Sequence, residues 1–467
     1  MVNWTSTTTT ATVNTVVTDG DKLAAATSAI NNNNPSIAQS ITAKYPSYYR
    51  NPLRTNNQWL RGKRRDDDAE GLWRINDSLY DLTKFMDSHP GGAEWIRSTK
   101  GTDITEAFEV HHIGTRPEQL LPKFRIRTAQ SPRNVQLTFH EHGFYKTLKR
   151  RVRDKLTVID YRPARTSEMI LDSLLCSSFV LASMAINFDS YLLAAICALF
   201  ISWTMIAAHN FFHRKDNWRM LAFNLAFFSY RDWRISHVLS HHLFPNSLLD
   251  LEISLVEPFI CFLPIPSSKN LLQRFGSWIY GPVYYCAMFF GVFVIRIIES
   301  VISRKNTFYA DNIIPAALPL FMLATSNSSI WEVLKMWFFI VLVASFVFAA
   351  IGVTAAHHHP DVVHSGDWIP TDIDFGVYQM AAIIDRSDIN GSQFKALVSF
   401  GDHSLHHLFP TLDHGILPQL YPVFLKTCAE FQLEYRAQSL WPAVVGQHQQ
   451  LARIEPMVYV PTKKFNQ

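Results

Sequence analysis

Eight of the chain's nineteen histidines fall into three short clusters. In HNFFH, His209 and His213 are four residues apart, the spacing that puts two imidazoles on one face of a helix. HVLSHH repeats that spacing with His237 and His241 and adds His242, while in HSLHH His403 reaches His406 and His407 three and four residues on. One such pair has an ordinary reading as a solvated helix face or a satisfied core residue. Three clusters brought together read differently. Imidazole suits Fe, Zn and Cu alike, and eight nitrogens exceed the four of a structural zinc site, so two metal ions are the economical reading. The string HHLFP ends the second and third clusters, at 241–245 and 406–410. Its Leu and Phe can seat a helix end in an apolar wall, and Pro245 or Pro410 then stops the helix. Two halves of one site would be anchored in the same way.

HPGG at 89–92 is the second chemical signal. A histidine held against a flat macrocycle needs a sharp backbone turn. Pro90 fixes one dihedral, and Gly91 and Gly92 let the chain approach without a side chain. A second axial histidine is expected after a short helical excursion, and DITEAFEVHH supplies His111 and His112.

The elements that position these residues divide the 467-residue chain unevenly. Hydrophobic residues make up 48% of it, concentrated in long central runs between polar ends, which predicts a membrane protein with soluble parts. A net charge of +4 is too mild for a nucleic-acid binder. The five cysteines are scattered and odd in number, so neither a disulfide framework nor a CxxC metal site is expected. The first residues lack a basic, then apolar, leader pattern, so insertion would come from internal segments. Residues 1–50, rich in Thr, Ser and Asn, predict a disordered tail. Residues 55–125 predict a compact α+β domain, 126–165 a basic linker, 166–435 an all-α membrane domain, and 436–467 a tail.

Apolar runs at about 168–186, 190–208, 275–298 and 333–356 predict four crossings. The run at 313–325, with two prolines, is short of the roughly 20 residues a span needs and reads as re-entrant or interfacial. Each histidine cluster then follows an even number of crossings, so all eight imidazoles can meet on one membrane face. His357, in AAHHHP after the last long run, could add a ligand, although a wet helix end is the plainer reading. His140, His142, His364, His414 and His448 lack partner spacing and read as surface residues. Asp232, Asp250 and Asp402 neighbour the clusters and could orient ligand imidazoles or cap helices.

HNFFH, HVLSHH and HSLHHLFP resemble the three histidine boxes of the membrane fatty-acid desaturase and hydroxylase family over about residues 165–430. YDLTKF, HPGG and TEAFEVHH resemble a cytochrome b5 domain over about 55–125. The order looks like that of the cytochrome b5-fused desaturases. His403 stands where fused front-end members usually show glutamine, and the second box opens with a wider histidine spacing.

The resemblance implies haem b held by His89 and, counting four residues from Phe108, His112, with His111 still open. It also implies two non-haem irons held by His209, His213, His237, His241, His242, His403, His406 and His407. The implied fold is a small α+β haem domain followed by an all-α membrane domain of about four helices with a cytosolic histidine cap. The implied activity is O2-dependent desaturation of a lipid acyl chain, with electrons from the fused haem domain and an NADH-dependent cytochrome b5 reductase. The implied place is the endoplasmic reticulum membrane, multi-pass, with the haem domain and boxes facing the cytosol. Hydroxylation of an acyl chain or sphingoid base by the same centre is one alternative. A membrane-anchored haem electron carrier without desaturation is another, although a carrier would not need eight box histidines.

Overall fold

A computed structural model describes residues 37–51, 54–265, 269–303 and 307–459. The first compact unit is built on a three-stranded antiparallel sheet of β1 (Trp73–Ile75), β2 (Ser78–Tyr80) and β3 (Arg125–Thr128). Asn76, at φ 51°, turns the chain between β1 and β2, a left-handed position that asparagine tolerates. Helix α1 (Asn56–Asp66) starts on a capping box of Thr55 and Gln58. Two short helices, α2 (Ala93–Ser98) and α3 (Thr105–His111), follow. Trp73, Ile75, Leu82, Ile96 and Ile104 form the core of this unit, and the Trp73 indole donates to Ile96 O at 3.0 Å.

Four helices are long and apolar enough to cross a membrane: α5 (Arg162–Asn187), α6 (Tyr191–Phe212), α7 (Ser277–Ser303) and α8 (Ile330–Val353). Small polar residues stitch them together, as expected where no water competes. Ser202 Oγ of α6 donates to Ala344 O at 2.9 Å, and Ser345 Oγ of α8 donates to Tyr285 O at 2.6 Å. The run expected to stop short of spanning lies in an apolar helix, Ala310–Ala324, shorter than these four. A small α+β unit followed by a helical unit with four candidate membrane spans is therefore the observed fold class.

A helical cap covers the ends of α6 and α8. It contains α4 (Phe144–Leu156), α9 (Phe375–Ala381), α10 (His403–Leu408), α11 (Tyr421–Glu430) and α12 (Leu440–Ala452). Three expected boundaries change here. Residues 1–36 of the expected tail lie outside the described residues, but 37–50 are ordered. Ile37–Ala38 pairs antiparallel with Ile369–Pro370, and Ile41 and Tyr48 are buried. Those two side chains supply the apolar area that the Thr-rich stretch before them lacks.

The expected basic linker contains α4, whose Tyr145, Leu148 and Val152 form a buried stripe while Lys149 pairs with Glu109 at 2.9 Å. The expected carboxy-terminal tail holds α12, which is tied inward where Gln450 Nε2 donates to Phe262 O at 2.6 Å.

Candidate functional site

The eight predicted histidines converge, but they divide in a way the spacing does not show. His209, His213, His237, His242 and His406 bring one nitrogen each to a first buried group. His241, His403 and His407 form a second group, joined by His357. In the first group, Nε2 of His209 lies 2.7 Å from that of His237, 2.8 Å from that of His213 and 3.2 Å from that of His406. In the second, Nε2 of His357 lies 2.7 Å from that of His403, 3.1 Å from that of His241 and 3.2 Å from that of His407.

Backbone winding makes the division. His209 and His213 end α6 at ordinary helical spacing and serve one group. Arg234–His241 is instead wound with i→i+5 bonds, closed by His242 N donating to His237 O at 2.8 Å. That winding aligns His237 with His242, whose Nε2 atoms are 2.9 Å apart, and turns His241 toward the other group. His237 and His241, expected to share one face, still stack with ring centroids 5.3 Å apart, but their Nε2 atoms serve different groups. On α10, His403 and His407 face the second group and His406 the first.

The other ring nitrogens show what these groups are built for. Nδ1 of His403 donates to Phe400 O at 3.0 Å and Nδ1 of His357 to Ala382 O at 3.1 Å. A carbonyl only accepts, so both rings carry their proton on Nδ1 and leave Nε2 as a bare lone pair. His407 Nδ1 donates to Gln379 Oε1 at 3.1 Å, because the Gln379 amide NH2 is committed to His242 O at 3.0 Å. Three lone pairs therefore face one another with no proton between them. With His241 Nε2 3.1 Å from His357 Nε2, four imidazole nitrogens converge, and a donor set of this kind fits a metal ion.

Carboxylates complete the shell: Asp250 accepts from His241 Nδ1 at 2.9 Å and Glu252 from His237 Nδ1 at 2.8 Å. Burial disfavours charge on His241, but Asp250 and Glu252 outweigh it and hold its pKa at about 9. Burial, helped by the charge on neighbouring His241 and opposed by the Phe400 carbonyl, takes His403 down to about 3.

Several expectations need correction. His357 is 5% exposed and inside the second group, because the end of α8 turns under the cap rather than into water. His364 and His414, read as surface residues, are buried; the His414 ring lies 4.4 Å from that of His406. Of the three aspartates, only Asp250 holds a ligand-type histidine. Asp232 accepts from Arg296 at 2.6 Å, and Asp402 accepts from Tyr421 OH at 3.0 Å. Sequence reasoning missed Glu252 and Gln379. Glu252, two residues beyond Asp250, carried a proximity signal; Gln379 carried none.

A cavity of about 910 Å³ has His237, His241, His357 and His403 in one wall. Phe228, Tyr284, Tyr285, Met288, Phe290 and Phe348 line its apolar part. Its volume and largely apolar lining suit an apolar ligand brought against the histidines.

In the amino-terminal unit, the rings of His89 and His112 face each other with centroids 6.1 Å apart. Both Nδ1 atoms donate to carbonyls, His89 to Gly92 O and His112 to Phe108 O, each at 2.9 Å, so both Nε2 atoms are free as ligands. That separation leaves room for one metal atom between them at bond lengths of roughly 2 Å. His111 turns away, with its ring 6.0 Å from Trp95. The glycines serve the histidine. A Cβ on Gly91 would stand 2.8 Å from His89 Cε1, and Gly92 adopts φ +115° with Asp216 of the membrane unit close against it. Burial lowers His112 to about 4, which keeps it neutral. The pocket therefore fits a haem held by two histidines.

Comparison with known proteins agrees with both units. Residues 190–439 match the fatty acid desaturase family model, and residues 58–130 match the cytochrome b5-like heme/steroid binding domain. The chain is 47% identical over 423 residues to cytochrome b5-related protein of Drosophila melanogaster, covering 90% of this chain and 97% of that one. It is 23% identical over 420 residues to acyl-lipid (8-3)-desaturase of Mortierella alpina, covering 81% and 92% of the two chains. It is also 23% identical over 441 residues to probable Delta(5) fatty acid desaturase C of Dictyostelium discoideum, covering 84% and 93%. No solved structure matches it. The chain belongs to the fatty acid desaturase family, as a member that carries a cytochrome b5-like domain before its membrane helices.

Proposed function

We propose that this protein is an O2-dependent lipid desaturase with a di-iron centre. His209, His213, His237, His242 and His406 would hold one iron, and His241, His357, His403 and His407 the other. His89 and His112 would hold haem b. The observation that carries this reading is the pair of buried imidazole groups, the second with its Nδ1 protons held by acceptors on His357, His403 and His407, beside an acyl-sized cavity. The distant relatives whose names print desaturase point the same way.

Bound iron supplies the power to activate O2 and remove hydrogen from an unactivated CH2. The chain's own residues do the rest. Carbonyl and carboxylate acceptors hold the Nδ1 protons of His237, His241, His357, His403 and His407. Leu243, Phe244, Leu408 and Phe409, all buried, exclude water behind the ligands. The aromatic lining holds the acyl chain along the second group. A haem held by His89 and His112 would have both axial positions filled by the chain and would supply electrons one at a time. Fusing it to the chain raises its effective concentration at the site. An NADH-dependent cytochrome b5 reductase would supply the electrons, and the endoplasmic reticulum membrane, with haem unit and boxes toward the cytosol, is the proposed setting.

The test is expression in a lipid-defined cell with acyl and sphingoid analysis beside a His406→Ala control. New double bonds with wild type alone support the reading; hydroxylated products support the alternative outcome of the same centre. Profiles identical to the control, in protein carrying haem but no other iron, support a plain electron carrier and reject desaturation.

A further inference from the structure

The amino-terminal unit and the first imidazole group meet on one turn, 212–216, just past α6, which carries His213. Buried Arg234 grips that turn on both sides of the histidine. Its Nε donates to Phe212 O at 3.0 Å, its Nη2 to Arg214 O at 3.2 Å and its Nη1 to Asp216 at 2.7 Å. The same guanidinium lies 4.7 Å from the ring centre of Trp95 in the amino-terminal unit.

Both haem-type histidines reach this turn. Gly92, whose carbonyl accepts from His89 Nδ1, is so close to Asp216 that an added Cβ would stand 3.3 Å from Asp216 Oδ2. His111, next in the chain to His112, has its ring 6.0 Å from Trp95. Its Nδ1 donates to Ala107 O at 2.8 Å, so its Nε2 carries a lone pair, and that atom is buried with no hydrogen-bond partner among the described residues. Nε2 of His213 lies in the first group, so with metal bound there its proton sits on Nδ1, which is also buried and partnerless among the described residues. A metal-bound imidazole ordinarily donates this second N–H, as His237 does to Glu252. His213 thus has a donor without an acceptor, and His111 an acceptor without a donor. Burial, then His237 and His111, lower the proton affinity of His213, which places the two rings within electrostatic reach. They do not bond directly, and one water between them would satisfy both.

Resting on the haem and di-iron readings above, we propose that His111 is the positioning residue that couples the haem to the first imidazole group, accepting from His213 Nδ1 through one water, and that electrons enter the centre there and not at the second group. The step moves one electron and makes or breaks no bond. The electron passes from ferrous haem, which becomes ferric, to a ferric ion of the first group, which becomes ferrous, and the reductase then renews the haem. The route runs from His112 along the backbone to His111 and on to His213. Electrons and substrate are thereby kept apart, since three of the four histidines in the cavity wall, His241, His357 and His403, belong to the second group.

The experiment follows haem absorbance in the full-length protein in nanodiscs, loaded with haem and ferric non-haem iron, after anaerobic flash reduction of the haem by a flavin. Wild type should lose the reduced-haem band in a fast phase that is missing from protein stripped of non-haem iron. His111→Leu, and His111→Asn, which keeps a donor for Ala107 O and loses only the Nε2 position, should each slow that phase about tenfold, with haem spectrum and midpoint potential unchanged. His111→Gln, whose amide oxygen reaches the Nε2 position, should recover most of the rate. His357→Ala should keep the phase, because entry is through the first group. Independently of any electron transfer, iron titrated into stripped protein should bind the first group about tenfold more weakly in His111→Asn than in wild type.

Transfer in His111→Asn as fast as in wild type would overturn the inference, as would a phase that His357→Ala abolishes with the first iron still bound. Either result leaves the desaturase reading standing. Slowing that His111→Gln does not relieve would also overturn it, because the role of His111 would then be packing. A wild-type protein with no iron-dependent phase would instead refute electron delivery by the fused haem, and the role of His111 with it.

Discussion

Asp250 is the residue through which the preparation of the second imidazole group can be tested. It is fully buried; its Oδ2 accepts from His241 Nδ1 and from Asn246 N, each at 2.9 Å, and its Oδ1 accepts from Glu252 N at 3.0 Å. Asp250→Asn keeps the shape but replaces an acceptor with an NH2. Whichever way the amide turns, that NH2 meets an N–H. If it faces Glu252 N, the shell of His241 survives and stability falls by about 1–3 kcal/mol. If it faces His241, the imidazole must accept on Nδ1 and move its proton to Nε2, which withdraws the nitrogen from the metal group. Loss of such an orienting partner costs about 10–100-fold in metal affinity, or about 1.4–2.7 kcal/mol. The assay is non-haem iron per haem before and after a timed chelator challenge. The expected result is that Asp250→Asn retains the haem spectrum and loses the more weakly held iron. Asp232→Asn is the control, because its carboxylate lies five residues before His237 in sequence but bonds Arg296 and no histidine. Iron retention and thermal stability in Asp250→Asn both equal to wild type would refute the argument that fixed tautomers prepare the group for metal, since retention with lowered stability is the outcome in which the NH2 faces Glu252 N.

His357→Ala removes one of four nitrogens from the second group and should lower non-haem iron from two toward one per haem, read by metal analysis. Gly91→Ala drives a Cβ into the His89 ring and should weaken or shift the reduced-haem absorbance. On the same spectrum His112→Ala should abolish the band while His111→Ala keeps it; the reverse would reassign the ligand. Tyr48→Ala empties a fully packed site and should destabilise the protein by about 3–5 kcal/mol in thermal unfolding, whereas a residue in a disordered tail would change nothing.

The sequence made some of this legible because some of the physics is local. Helical spacing puts His209 with His213 and His403 with His407, and both pairs stay together in the fold. A turn that only two glycines permit marked His89, and no distant contact was needed to see it. Other features depend on tertiary context. Which group His241 serves depends on i→i+5 winding, which no spacing rule carries. His357 has no partner in its own segment, since its tautomer is set by Ala382 O, 25 residues on. Its position just past the last membrane helix, on the face shared by the boxes, was the available signal. The linker reading failed because lysine and arginine density hid an apolar stripe at helical period in α4. Those lysines are not solvating a loop; Lys146 and Lys149 both bond Glu109 of the haem unit, at 2.8 and 2.9 Å.

The doubled HHLFP string follows from the two-group geometry. Adjacent residues on a helix point about 100° apart, so neighbouring imidazoles do not serve one metal comfortably. They can serve two. In the first copy His241 faces the second group and His242 the first; in the other, His406 faces the first and His407 the second. Each pair sits on the seam, and the rings of His242 and His407 stack across it with centroids 4.0 Å apart and planes within 19°. Leu243, Phe244, Leu408 and Phe409 all enter one core, so packing of the apolar half sets the rotation of each turn and thereby which histidine meets which group. This makes Leu408→Ala informative. It should cost about 2–5 kcal/mol, and, because α10 would turn as a unit, it should loosen iron in both groups, unlike His357→Ala. A Leu408→Ala protein that folds and keeps both irons against chelator would show that the apolar wall adds stability without setting the aim of the histidines.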